Sequence, residues 1–386
     1  MNRTFLYSAL HAFFWMMMCV VCNYATYFLV NYGYSTSQVG TVLAIGAAGS
    51  VFLQLGLGKL ADRSKTLHWK RLLVLDVIAA FIIFVLLAFV KEPLSAGILF
   101  ALSYLAVHGL NPLINHAAFY LNEKGYSVNF GFARGMGSLF FSLISLALGR
   151  LTVRFGLVSV PLTGAILAVF FLISVLCLPY KGAQSRIERK ESGASDKSFF
   201  AKYPAFIVMA AGIILSLTAH NAVNTFMLQI MERVGGNSGT MGTAFFIAAM
   251  SELPVLFGFK YIRKRFKNAD FLCFSSIFFI VKMTAIFFAG SVTAVYLAEM
   301  IQMFSFPVYA SASVYYADER MSAEDKATGQ GWMASAAAAG GVIGNLLGGI
   351  ANDHFGVQGL LVMAIISTVL GAGICFISRN MEKGTR

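Results

Sequence analysis

The chain has 386 residues, 58% of them hydrophobic and only 12% charged, with 36 Phe and a formal net charge of +12. A soluble domain carries about a quarter charged residues, so a water-soluble fold of this size would expose apolar patches that aggregate. A large soluble α/β protein is excluded by run length, because buried strands last roughly 4–8 residues and the apolar runs here last roughly 20. The pattern predicts an all-α, polytopic membrane protein with twelve transmembrane helices. The spans fall at 5–30, 38–58, 71–90, 94–119, 130–152, 158–178, 203–231, 238–260, 269–289, 291–315, 324–350 and 356–378. They form two six-helix halves, 1–178 and 203–386, joined by a water-exposed linker over 179–202.

The charge is distributed by side. With the N-terminus in the cytoplasm, 23 of the 29 Lys and Arg fall on the inner side, six of them in the linker, and only Lys91, Arg150, Arg154 and Arg233 fall outside. This positive-inside bias places both termini and the linker in the cytoplasm, and it argues against a nucleic-acid partner. The expected partners are membrane lipids and a small-molecule solute, in a monomer at a bacterial cytoplasmic membrane. The first run lacks a small-residue cleavage pattern and reads as a span, not as a signal peptide. The five cysteines, Cys19, Cys22, Cys177, Cys273 and Cys375, lie in apolar runs and complete no metal site. No cofactor is expected.

Span 2 carries Gly46, Gly49, Gly56 and Gly58, and small residues let membrane helices approach closely. It leaves the membrane through Gly58, Asp62 and Arg63, followed by Lys65, Lys70 and Arg71. Here Gly58 permits close contact, Asp62 can accept from a neighbouring helix N-terminus, and Arg63 can anchor at headgroup phosphates. Asp76, five residues into span 3, reads as a gate or packing residue. In span 4, His108, Asn111 and Asn115 share one helical stripe with His116 at its edge. Such a stripe does not face lipid; it lines a solute cavity or meets neighbouring helices.

Span 5 holds Arg134 beside Gly135 and Gly137, a packed face where an arginine calls for an anion or a hydroxyl-rich ligand. Span 7 repeats the polar theme with His220, Asn221 and Asn224, and span 8 carries Glu252 near mid-bilayer, followed by Pro254. Lys282 in span 9 and Glu299 in span 10 lie at matching depth on antiparallel runs, with Gln302 nearby. An isolated charge there costs several kcal/mol, so pairing is expected. The pair is either purely structural or one that opens during transport with Glu252 as competitor. Span 11, rich in Gly and Ala, must pack tightly, and the segment 351–356 reads as a turn.

The segment from Gly58 to Arg63 resembles the G-x-x-x-D-R loop of the major facilitator superfamily, whose fold is two six-helix halves rocking about a central site. Within that superfamily the chain resembles the oligosaccharide:proton symporters, the group containing the bacterial lactose permease. FGFARGMG in span 5 is similar to the stretch bearing the sugar-binding arginine, which implies that role for Arg134. SELPVLFGF resembles the segment with the family's intramembrane glutamate, here Glu252, and IVKMTA a segment centred on arginine, here Lys282. EMIQMFSFPVY departs from the pattern, since Gln302 and Ser305 stand where the permeases carry a histidine and the glutamate that is protonated. The carboxylate that partners the family's arginine falls at His116. The layout is also similar to that of nucleoside:proton symporters and aromatic-acid carriers.

The resemblance implies a secondary active transporter, not an enzyme, moving a sugar or oligosaccharide by alternating access as a proton symporter, with the proton gradient as energy source. A nucleoside:proton symporter, a passive facilitator, sodium coupling and an exporter are the alternatives. Arg134, His116, Asn115, Asn111, His220, Asn224 and Gln302 are the expected solute contacts. Glu252, Glu299 and Lys282 are the expected coupling groups, and Gly58, Asp62, Arg63 and Asp76 the gate. A membrane enzyme would gather catalytic groups at one interface, and no nucleotide or metal motif stands out.

Overall fold

The computed structural model describes residues 3–63, 68–180, 199–322 and 324–384. Most of the expected linker, 181–198, lies outside the described residues, as do the surroundings of Gly58 and the side chains of Asp62 and Arg63. The regular structure of the described residues is all helical, with no strand among them. In a medium without water every backbone N–H and C=O must be satisfied within the segment, and the α-helix does this for a single run.

The helices are α1 (Arg3–Asn23), α2 (Ala25–Val30), α3 (Thr36–Arg63), α4 (Trp69–Phe89), α5 (Pro93–Glu123), α6 (Phe130–Phe155) and α7 (Ser159–Cys177). They continue as α8 (Phe199–Lys202), α9 (Pro204–Thr225), α10 (Met227–Arg233), α11 (Ser238–Ile262), α12 (Asn268–Phe288), α13 (Val292–Met300), α14 (Phe306–Arg320) and α15 (Lys326–Gly384). Among the described residues ten helices are long and apolar enough to cross a membrane. The twelve spans are completed by two irregularities. α15 holds two crossings, broken at Gly356, whose φ of 66° lies in the region only glycine enters freely. The tenth span is not one helix: α13 gives way to a 3₁₀ turn at Ile301–Phe304 before α14 begins. The expected turn over 351–356 is helical up to Phe355 and breaks at Gly356 alone.

The outside of the protein is apolar. Phe52, Phe89, Phe119, Phe288 and Phe355 are between 69% and 78% exposed, whereas Lys282, Glu299 and Ser305 are fully buried. That arrangement suits lipid as the solvent.

Two compact units divide the chain: Met1–Ile187 with Met227–Met250, and Glu188–Phe226 with Ser251–Arg386. In the first, α1 packs on α5, α6 and α7, and α5 on α3 and α4. The start of α11 joins this unit because Gly149 and Gly242 allow a close crossing. A Cβ on Gly149 would lie 2.9 Å from the Ser238 carbonyl oxygen and 3.1 Å from Gly242 Cα. Tyr24, at the break between α1 and α2, donates to the Ser145 carbonyl oxygen at 2.6 Å beside this crossing.

In the second unit α9 packs on α15. Gly340, Gly344 and Gly348 of α15 stand against α9, where a Cβ on Gly340 would meet the Ile214 carbonyl oxygen at 2.9 Å and one on Gly348 the Ala222 Cβ at 2.8 Å. Gly371 crosses α9 at Gly212, so both crossings of α15 rest on the same helix. Ion pairs tie helix ends: Arg379 to Asp270 at 2.5 Å, Arg320 to Glu382, and Lys202 to Asp325 at 2.5 Å. Lys202 and Tyr203 both donate to Asp325, and these bonds hold its carboxyl below the usual aspartate range.

Candidate functional site

A buried polar cluster lies within the membrane-spanning part of the second unit, on α11, α12, α13 and the 3₁₀ turn. α12 and α13 run antiparallel across residues 289–291, and Ser291 caps α13 by accepting from the Ala294 N–H at 3.2 Å. This hairpin brings Lys282 to Glu299: Nζ donates to Glu299 Oε2 at 2.8 Å, with side chains 0% and 1% exposed. Lys282 Nζ also donates to Gln302 Oε1. Gln302, 5% exposed, turns its other end to α11, where Nε2 donates to Glu252 Oε1 at 2.7 Å. Four predicted residues thus form one chain, Glu252–Gln302–Lys282–Glu299. Glu299 Oε1 is buried with no hydrogen-bond partner among the described residues.

The interruption of the tenth span positions this chain. Gln302 sits in the 3₁₀ turn, Ser305 follows with φ −103° and ψ −87°, and Pro307 stands in the first turn of α14, where a missing N–H breaks no helical bond. The Ser305 hydroxyl donates to the Gln302 carbonyl oxygen at 3.2 Å and closes the turn. A 3₁₀ stretch within a helix is a common site of bending.

His220 and Asn224 lie one turn apart on α9. The Asn224 Nδ2 donates to His220 Nε2 at 3.1 Å, the ring stacks on Phe306 with centroids 4.7 Å apart, and Phe279 meets it edge-on. With the amide donating to Nε2, the ring proton sits on Nδ1, which is buried without a partner among the described residues.

In the first unit Arg134 donates from Nη1 to Ser138 Oγ at 2.9 Å, and its guanidinium lies 3.8 Å from the centre of the Trp15 ring. A guanidinium over an indole face is held by the ring quadrupole. Trp15 belongs to a row on α1 with Tyr7 and His11: His11 Nε2 is 3.0 Å from the Tyr7 hydroxyl, which donates to the Ile114 carbonyl oxygen at 3.1 Å. Tyr7, His11 and Trp15 recur every fourth residue, a spacing that could have revealed them; within a run full of aromatics they pass as core.

On α5, Asn115 donates to Asn111 Oδ1 at 3.4 Å, and His116 is half-buried one residue on. His108 is turned away to its own helix, Nδ1 meeting the Tyr104 carbonyl oxygen at 2.9 Å and the ring stacked on Tyr104. Asp76 on α4 lies against Gly109 of α5, where a Cβ would stand 2.8 Å from Asp76 Oδ2. That oxygen is buried with no hydrogen-bond partner among the described residues.

No group of three or more metal-ligating side chains occurs among the described residues. The cluster of the second unit joins two carboxylates and one ammonium through an amide, and in the first unit a guanidinium lies beside an aromatic plane.

The profile of the MFS_1-like family, which carries the name of the major facilitator superfamily, matches residues 5–363. No curated protein matches the sequence. Among solved structures, the nucleoside transporter NupG is similar over 99% of this chain and 100% of its own, with a TM-score of 0.77 and 18% identity. A bacterial homolog to the human lysosomal transporter Spinster, in an inward-facing and occupied conformation, covers 98% of this chain and 97% of its own, with a TM-score of 0.73 and 15% identity. The peptide transporter POT covers 98% and 93%, with a TM-score of 0.78 and 12% identity. At these identities the likeness is one of fold.

Proposed function

We propose that this chain, which belongs to the MFS_1-like family of the major facilitator superfamily and is therefore a secondary transporter and not an enzyme, carries a small hydroxylated ring solute by alternating access as a proton symporter. The observation that supports coupling is the chain Glu252–Gln302–Lys282–Glu299. It brings two carboxylates and one ammonium into one chain of hydrogen bonds. Glu299 is already neutralised by Lys282, and protonating it would strand a buried cation, the costlier outcome. Glu252, half-buried and bonded to a neutral amide, is the carboxylate that takes the proton.

Arg134 on the face of Trp15, with Ser138 beside it, is the surface proposed to meet the solute. A ring stacking on an aromatic face while vicinal hydroxyls accept from a guanidinium describes both a nucleoside and a sugar. The nucleoside is placed first. The arginine–carboxylate sugar clamp is not reproduced, since His116 stands at the carboxylate position, and NupG matches the fold over its full length. The sugar is the second reading, favoured by the FGFARGMG segment. His220, Asn224, Asn111, Asn115, His116 and Gln302 are the further contacts proposed, and Asp76, Gly58, Asp62 and Arg63 the gating residues. The positive-inside bias supports cytoplasmic termini and a cytoplasmic linker, and the chain is proposed to act as a monomer in a bacterial cytoplasmic membrane, without a cofactor and driven by the proton gradient.

A panel of nucleosides, monosaccharides and disaccharides, offered to proteoliposomes under an imposed proton gradient, tests the reading. Nucleoside accumulation that collapses with the gradient is expected. Mere equilibration of every solute would replace symport by facilitation.

A further inference from the structure

We infer that Gln302 is the residue that passes the protonation state of Glu252 to the Lys282–Glu299 pair; the inference rests on the proposal that Glu252 takes the proton. The orientation of its amide is the one its two charged neighbours dictate. A carboxylate only accepts and an ammonium only donates, so Nε2 faces Glu252 and Oε1 faces Lys282. The amide is a tether pulled at one end by a negative charge and at the other by a positive one.

A proton on Glu252 removes the pull at one end. The Nε2 bond passes from charge-assisted to neutral, and charge-assisted bonds are roughly twice as strong. The Lys282 end is unchanged, so the hold of α11 on the tether weakens and the balance shifts toward the ion pair. Glu299 has the means to hold that pair afterwards, because its Oε1 is buried and unpartnered and can accept a second Lys282 N–H. The backbone has the means to move as well, since Gln302 sits in the 3₁₀ turn that interrupts the tenth span.

The charged and titratable groups set against the tether include Glu252 from α11, Lys282 from α12 and Glu299 from α13, with His220 of α9 stacked on Phe306 just past the turn. Gln302 stands where the resembled permeases carry a histidine. A neutral amide between two charges transmits a protonation that it does not itself undergo.

Infrared difference spectra of the full-length protein in proteoliposomes, carrying isotope-labelled glutamine and stepped in pH without solute, test this directly. The expected result is a carboxylic-acid carbonyl signal and a glutamine side-chain amide signal that rise along one pH curve. Glu252→Met, which adds no amide, loses both signals; Gln302→Met loses the amide signal and keeps the carboxylic one. A carboxylic signal of Glu252 without any amide signal in the unsubstituted protein overturns the tether and leaves the proton acceptor standing. An amide signal that survives Glu252→Met or Gln302→Met also overturns it. A carboxylic signal that survives Glu252→Met removes the proton acceptor and the tether together.

Discussion

At the scale of single residues, the buried pair Lys282–Glu299 binds two partners that neither could do without. Taking charges out of water is expensive, and attraction offsets it only while both members are present. Lys282→Met leaves Glu299 as an uncompensated carboxylate, one of whose oxygens already lacks a partner. The single substitution is expected to destabilise the protein by about 3–5 kcal/mol, and Lys282→Met with Glu299→Leu to recover most of the loss. Thermal unfolding of the detergent-purified proteins checks this; a double variant no better than the sum of the singles contradicts it. The pairing was legible because charge depth can be counted along two antiparallel runs. Gln302 as the bridge was not, since a neutral amide announces itself only through what it touches. Trp15 was likewise hidden, one aromatic among many in its run, until Arg134 was seen lying on it.

At the scale of elements, packing depends on glycines whose positions are not equivalent. Gly344 of α15 has no room for a side chain, for its Cβ would meet the Thr218 carbonyl oxygen and, at 3.1 Å, the Ala222 nitrogen of α9. Gly373, also on α15, has nothing within 4 Å. Gly344→Val is expected to lower stability by about 1–3 kcal/mol through overpacking, and Gly373→Val to leave the melting temperature close to that of the unsubstituted protein. Equal melting temperatures for the two would contradict the packing described. The Gly- and Ala-rich composition of span 11 signalled tight packing in advance, but which glycines touch α9 is a matter of helix rotation that composition does not carry. The break in the tenth span escaped for a different reason: hydropathy is continuous across 291–315, and Pro307 sits where a helix start tolerates it. The kink between α1 and α2 at Tyr24 leaves no mark on hydropathy either.

At the scale of the whole molecule, the two units hold different chemistry. The first presents a cation on an aromatic face, Arg134 over Trp15; the second presents two carboxylates and one ammonium joined through the Gln302 amide. Twelve spans were readable from run lengths and charge sidedness, because a bilayer imposes those features on any chain that crosses it, and the superfamily from the resemblance of the segment from Gly58 to Arg63. Proton coupling through Glu252 is the central claim. It is tested by adding solute to a dense proteoliposome suspension in weak buffer and recording external pH, alongside counterflow of the same solute. The account predicts alkalinisation with the unsubstituted protein, and for Glu252→Gln no pH change while counterflow persists. Alkalinisation of equal size in Glu252→Gln would contradict it.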